Sequence, residues 1–192
     1  AAPNVYWTDG YGRVSYTTNS SISPVVKIAL KEFAGDMKAV TGFEAKEKNG
    51  APIQIYQLDQ LTNKEFSAVE KLGAPLHLII TGKDAFYIGT RKKKVVVIGS
   101  NARGTAYAIM KLSELAGVSP LMAWNDLQPA QRKSLYTPVD QQWIEVPRIE
   151  FRGLALNNSQ WMKPQNYSRI ARLMLRLRAN TLWQVDGRAV RL

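Results

Sequence analysis

The sequence predicts an α/β (α+β) chain in three parts: a mixed β-sheet with packed helices over residues 1–120, an irregular connection over 121–147, and an incomplete strand–helix–strand unit over 148–192. Three observations predict it. Apolar residues recur at helical spacing in two stretches, around 24–40 and 101–116, each followed by glycine. Short β-branched and aromatic runs lie between them, bounded by turn residues. After Pro147 the pattern changes to one strand, one helix and one strand in succession, a crossover unit of a parallel sheet.

Taken in order, the first helix starts at Ser23, a capping residue, with Pro24 at the first helical position. Val26, Leu30, Phe33, Met37 and Val40 form its stripe, and Gly42 stops it. Ile53–Leu58 reads as a strand. Thr62 and Glu65 form a capping box for the next helix, flanked by the staple pair Leu61 and Phe66, and Gly73 ends it. Leu76–Ile80 reads as a strand. Ala85–Ile88 and Val95–Ile98 read as a hairpin joined by a charged turn. A helix over 101–116 follows, with Ala108, Ile109, Leu112 and Leu115 inward. Residues 118–147, holding Pro120, Pro129, Pro138 and Pro147, read as a linker or an extended segment. Beyond them, Ile149–Leu156 is a strand, Tyr167–Arg178 a helix and Thr181–Val185 a strand.

Composition narrows the function. The chain has 192 residues, 45% of them hydrophobic and 21% charged, as in an ordinary globular protein. No apolar run reaches the roughly 20 residues that span a bilayer. There is no cysteine, so thiol nucleophiles, disulfides and Cys-ligated zinc are excluded. The single histidine, His77, cannot build a multi-His metal site; it alternates with Leu76 and Leu78 and reads as a packing residue. A net charge of +11 favours a polyanionic partner without choosing among nucleic acid, anionic lipid and acidic polysaccharide. The start Ala1-Ala2-Pro3-Asn4 carries no initiator Met and no hydrophobic signal region. It is expected to be a processed end or a boundary imposed on a longer chain. A lone crossover unit would leave apolar faces uncovered, so the chain is expected to be a piece of a longer protein.

Several motifs have structural readings that outweigh chemical ones. Gly99 and Gly104 with Thr105 resemble a phosphate-binding loop, but the lysine such a loop needs is absent, so a tight capped turn is preferred. Arg91-Lys92-Lys93-Lys94 has no interleaved aromatic residue and reads as a solvated hairpin turn. Arg169, Arg172 and Arg176 share one face of the last helix and read as solvated or ion-paired. Glycoside hydrolysis needs two carboxylates across a bond. Glu150 and Asp186, the only acids after Pro147, do not suggest a pair. Asn157-Asn158-Ser159-Gln160-Trp161 follows a predicted parallel strand, where sites form. Its amides and aromatic plate suit sugar hydroxyls and the apolar face of a pyranose.

Residues 98–107 (Ile-Gly-Ser-Asn-Ala-Arg-Gly-Thr-Ala-Tyr) followed by Leu112-Ser113-Glu114 resemble a motif of the α/β domain that precedes the catalytic barrel in several glycoside hydrolase families. Gly117-Val118-Ser119-Pro120, Trp124, Asp126, Pro129, Leu135-Tyr136, Phe151-Arg152-Gly153-Leu154 with Asn157, and residues 175–183 resemble glycoside hydrolase family 115. The resemblance is best over about 95–184. It implies that 1–120 is an accessory α/β domain, 121–147 a linker and 148–192 the first part of a truncated (β/α)8 catalytic barrel. It also implies an inverting xylan α-glucuronidase with no organic cofactor, releasing glucuronic acid or its 4-O-methyl form; no metal site is expected from the residues themselves, with one histidine and no cysteine. That family has acidic residues after the asparagine; here Asn158 and Ser159 stand there, and an amide cannot serve as a general base.

The expected function is therefore a fragment of a secreted glycoside hydrolase, periplasmic or extracellular, acting on plant cell-wall polysaccharide. No catalytic residue is expected within the chain, which should be inactive alone. Asn157, Asn158 and Trp161 are the expected sugar contacts, with Trp124 and Asn125 lining the same pocket; a plain interdomain packing role is the equal alternative for Trp124. The expected partners are a polysaccharide or oligosaccharide, acidic ones included, and the remainder of the barrel; neither nucleic acid nor a membrane is expected. A non-catalytic carbohydrate-binding or scaffold protein is the alternative, and a charge-driven nucleic-acid binder the third reading.

Overall fold

The computed structural model describes residues 3–156, 163–184 and 189–191. Strand β1 (Asn4–Tyr6) runs through a tight turn into β2 (Ser15–Thr18), and helix α1 (Pro24–Thr41) follows. Pro24 sits at the helix start, where its missing N–H is not needed. Ser23 stands at the N-cap, as the sequence predicts, but its side chain does not cap: the Ser23 hydroxyl accepts from Gln57 Nε2 at 2.8 Å. Gly42 ends α1 with φ at 89°, a left-handed conformation that glycine adopts without strain.

Next come β3 (Lys46–Glu47), β4 (Ile53–Gln57) and helix α2 (Asn63–Glu70). The capping box is present: Thr62 Oγ1 accepts from the Glu65 N–H at 3.2 Å, and Glu65 Oε1 accepts from the Thr62 N–H at 3.0 Å. Strands β5 (Phe86–Arg91) and β6 (Lys94–Gly99) form the predicted hairpin. Its two turn residues, Lys92 and Lys93, hold φ at 48° and 62°. Helix α3 (Ala102–Leu115), the short α4 (Pro120–Trp124), β7 (Tyr136–Pro138) and β8 (Gln142–Glu145) follow. Then come β9 (Gly153–Leu156), α5 (Pro164–Arg176), β10 (Thr181–Gln184) and β11 (Ala189–Arg191).

The main sheet has the order β3-β2-β4-β6-β5-β8, parallel from β3 to β6 and antiparallel from β6 to β8. Val95 and Val97 of β6 pack with Ile53, Ile55 and Ile88 in the same core as Phe33 and Met37 of α1 and Ile109 and Leu112 of α3. Val96 and Ile98 belong to a second cluster, with Tyr87, Val69 and Ile79. A strand buried on both faces needs no polar alternation, which explains the uninterrupted Val-Val-Val-Ile.

Two stretches differ from the sequence reading. Leu76–Ile80 is no strand. Leu76–Leu78 is a 3-10 turn, in which the Leu78 N–H reaches Pro75 O at 3.1 Å and the Ile79 N–H reaches Leu76 O at 3.0 Å. The outer edge of β5, which such a strand would extend, is occupied by β8. Ile79 alone is buried, between exposed Leu78 and Ile80, and His77 is exposed. Residues 118–147 carry α4, β7 and β8. β7 pairs antiparallel with β1, and buried Trp7 donates from Nε1 to Thr137 Oγ1 at 2.7 Å. The prolines fit these elements: Pro120 begins α4 and Pro138 ends β7, both positions where a missing N–H is tolerated.

The second sheet has the order β11-β10-β9. β9 and β10 are parallel neighbours joined through α5, the crossover the sequence predicts. Ile170, Met174, Ala179 and Leu182 form its core, with Leu154 and Trp124 packed against it. Among the described residues, no helix is long and apolar enough to cross a membrane.

Candidate functional site

Ligand sites of crossover units form at the carboxyl ends of the parallel strands. Here those ends are Leu156 and Gln184. Asn157, Asn158 and Trp161, three of the predicted sugar contacts, lie outside the described residues. Trp124 and Asn125 lie within them. Trp124 is the last residue of α4, and the Arg169 guanidinium of α5 stands 4.4 Å from its ring centroid. Arg169 also donates to the Trp124 carbonyl. Asn125 is the C-cap of α4, its N–H bonded to Leu121 O at 3.0 Å. Trp124, Arg169, Arg172 and Asp126 line a cleft of about 400 Å3 between α1, α4 and α5. A cation therefore covers one face of the indole, and Trp124 joins α4 to α5.

The opposite, N-terminal ends of β9 and β10 are held by a polar network. Asp84 is almost fully buried, with φ at 57°. It accepts from Asn101 Nδ2 at 3.0 Å, Arg103 Nε at 3.1 Å and Arg152 Nη2 at 3.0 Å. Burial alone would raise its pKa; the hydrogen bonds from Asn101 and Arg152 and the two guanidinium charges outweigh this and hold it below the ordinary value. Arg152 also donates from Nε to Arg178 O at 3.0 Å and from Nη1 to Ile149 O at 2.7 Å. Asn180 bridges the two strands: its Oδ1 accepts from the Arg152 N–H at 2.8 Å, and its Nδ2 donates to Glu150 O at 2.7 Å. Tyr107 of α3 donates to Ala179 O at 3.2 Å; burial, with the Asp84 charge, raises its pKa.

Of the arginines on the face of α5, Arg176 is buried against α1, while Arg169 and Arg172 stay exposed and are paired at the surface. Arg176, 5% exposed, makes a two-point contact with Asp36 at 2.8 and 2.9 Å and reaches Glu32 at 2.9 Å. Burial opposes its charge, but Asp36 and then Glu32 more than compensate and raise its pKa. Arg172 lies 3.4 Å from Glu32. Arg178 adopts φ at 56° where a helix usually ends in glycine, and its side chain pairs with Glu114 at 3.1 Å and with Glu145.

The helix start at residues 99–105 is the tight capped turn preferred above. Asn101 Oδ1 accepts from the Gly104 N–H at 2.8 Å, and a Cβ on Gly99 would lie 2.1 Å from Thr105 Oγ1. Asp84, a carboxylate, already occupies the neighbourhood where a phosphate would sit.

On the face of the β9–β10 pair opposite α5, Trp183 is 46% exposed and Ala155 is exposed. Gly153 is required there: a Cβ would lie 2.4 Å from Thr181 O and 2.8 Å from the Trp183 ring. Sequence reading did not single out Asp84, Asn101 or Asn180 as a unit. They lie up to 96 positions apart (180 − 84), and no local spacing joins them. The one signal was that Asn101, Arg103, Arg152 and Asn180 all fall within the family-like segments.

No protein-family model matches the chain, and no curated protein matches it. Solved structures do. A family 115 4-O-methyl-α-glucuronidase with specificity for decorated arabinogalactans is 29% identical over 90% of this chain, with a TM-score of 0.78. A chitobiase from Flavobacterium johnsoniae is 15% identical over 96%, with a TM-score of 0.59. A mutant β-hexosaminidase from Streptomyces plicatus is 13% identical over 96%, with a TM-score of 0.58. The chain spans 25%, 25% and 32% of those proteins. Its fold is that of a part of glycoside hydrolases.

Proposed function

We propose that the chain is the accessory α/β domain (1–120), connection (121–147) and opening of the catalytic barrel (148–192) of a glycoside hydrolase of the family 115 type. The parent is proposed to be secreted or periplasmic and to remove glucuronic acid or its 4-O-methyl form from a plant cell-wall polysaccharide such as xylan or a decorated arabinogalactan. The observation that carries this is the parallel β9–α5–β10 unit, one face bare at Trp183, in a chain 29% identical to a quarter of such an enzyme.

The chemistry follows from the position of the unit. Inversion at a sugar carbon needs one carboxyl to protonate the leaving oxygen and another to activate water, roughly 6.5–9.5 Å apart. These belong on later strands of the same barrel. The segment after β9, with Asn157, Asn158 and Trp161, supplies hydroxyl contacts and a stacking face. The Asp84–Arg152–Asn180 network works at the other end of the strands, fixing where β9 and β10 begin and thereby where their sugar-facing ends stand.

The test is uronic-acid release from glucuronoxylan and from decorated arabinogalactan, comparing the 192-residue chain with the product of its gene read beyond Leu192. Release by the longer product alone is the expected result. Release by the short chain would overturn the assignment of the catalytic acids to later strands. A gene that stops at Leu192 would overturn the barrel.

A further inference from the structure

At the edge of the main sheet marked by β3, an open cleft of about 650 Å3 lies between the turn before β2, the end of α1 and β3 itself. That size is typical of a ligand site. Its lining holds four cations, Arg13, Lys38, Lys46 and Lys48, and three carboxylates, Asp9, Glu44 and Glu47, around the Phe43 ring. Tyr11 beside it is 78% exposed and Phe43 is 41% exposed, unusual for large rings away from the core.

The backbone that carries both rings is hydrogen-bonded locally. Tyr11 and Arg13 ride on a turn in which Asp9 Oδ1 accepts from the Tyr11 N–H at 2.8 Å and the Arg13 N–H at 3.0 Å, while the Asp9 N–H donates to Arg13 O at 2.9 Å. Phe43 follows the left-handed Gly42; its N–H donates to Thr41 Oγ1 at 3.2 Å, and that hydroxyl donates to Phe43 O at 3.1 Å. The Arg13 guanidinium stands between the two, 5.0 Å from the Phe43 centroid and 5.8 Å from that of Tyr11. Among the described residues no carboxylate oxygen lies within 4.0 Å of it. The Asp9 carboxylate nearby is committed to backbone amides. The cleft thus presents the Phe43 ring, with Tyr11 beside it, and a planar cation in no direct ion pair, whose charge helps hold the Asp9 carboxyl below its ordinary value; Lys46 and Lys48 lie on its wall with Glu44 and Glu47.

We propose that this cleft is a second, non-catalytic glycan-binding surface, taking a carboxylate-bearing polysaccharide chain. Sugar ring faces lie on Tyr11 and Phe43, and a uronate carboxylate meets Arg13 in a two-point contact. The cleft would anchor a long substrate away from the barrel. This rests on the carbohydrate reading above, but its test is independent of catalysis.

The test is retardation of the 192-residue chain in native gels cast with glucuronoxylan, with the same polymer after carboxyl reduction, or with single-stranded DNA. The variants are Tyr11→Ala and Arg13→Gln, both at exposed positions, with folding checked by circular dichroism. The expected result is retardation by glucuronoxylan, weakened about tenfold by either variant and by carboxyl reduction. Binding that survives both variants would overturn the cleft while leaving the carbohydrate reading intact. No retardation of the wild-type chain would overturn the cleft, with the parent enzyme still judged by uronic-acid release. Equal binding to DNA, abolished by about 0.2 M salt, would replace it with non-specific attraction to a basic protein.

Discussion

The two larger sheets of this molecule are held by different forces. The main sheet is buried at its centre, on both faces at β6: Ile53, Ile55, Val95, Val96, Val97 and Ile98 have no exposed surface. The β9–β10 sheet is covered by α5 on one face and leaves Trp183 46% exposed on the other. Its attachment relies heavily on charges: Arg152 on Asp84, Arg176 on Asp36 and Glu32, Arg178 on Glu114. Apolar burial is non-directional and tolerates small shifts, whereas a buried two-point ion pair fixes position and fails when one partner is lost. The first sheet carries the larger apolar core, to which Leu175 of α5 also contributes. The second is a precisely hung addition.

The largest effect should come from the core. Phe33→Ala removes a fully buried ring beneath the main sheet and should cost about 3–5 kcal/mol, lowering the urea midpoint of the whole chain. A loss confined to β9–β10 would break the comparison. Asp84→Asn should cost about 2 kcal/mol, less than breaking a wholly buried pair, because Arg103 and Arg152 are partly exposed and the amide oxygen still accepts. Hydrogen exchange should quicken at β9 and β10 while β4 and β6 keep their protection; equal quickening in both sheets would show one cooperative unit.

Acid sharpens the same contrast. A carboxylate held below its ordinary value of 3.8 adds stability above that value and loses it as pH falls through the folded pKa. Tryptophan fluorescence should therefore report loosening of the β9–β10 sheet below about pH 4, with the acid step reduced in Asp84→Asn. The smallest effect belongs to the hairpin. Lys93→Gly places glycine at φ 62° and should raise stability by up to about 1 kcal/mol in thermal unfolding, without touching the second sheet.

Much of the fold was legible in the sequence because its signals are local. Pro24 and Gly42 bound α1, Thr62 and Glu65 announce α2 three residues apart, and a two-lysine turn joins β5 to β6. The crossover of β9 and β10 was legible from the order of patterns. The support of the candidate site was much less so. Arg176 was readable as paired or solvated, but its partner Asp36 is 140 positions away, and nothing in the spacing of either selects the other. Trp124 was readable as an aromatic near the unit, not as the plate under Arg169.

Capping and periodicity by themselves located helices α1, α2, α3 and α5 and strands β4, β5, β6, β9 and β10, since those depend on hydrogen bonds and side-chain faces within a few residues. Only the tertiary structure decided which strand takes which edge, and therefore that Gln142–Glu145 joins β5 while Leu76–Ile80 folds into turns. It also decided which charges meet at Asp84. A sheet edge accepts one strand, and a buried charge needs a partner brought from far along the chain. Both are settled by competition across the whole molecule.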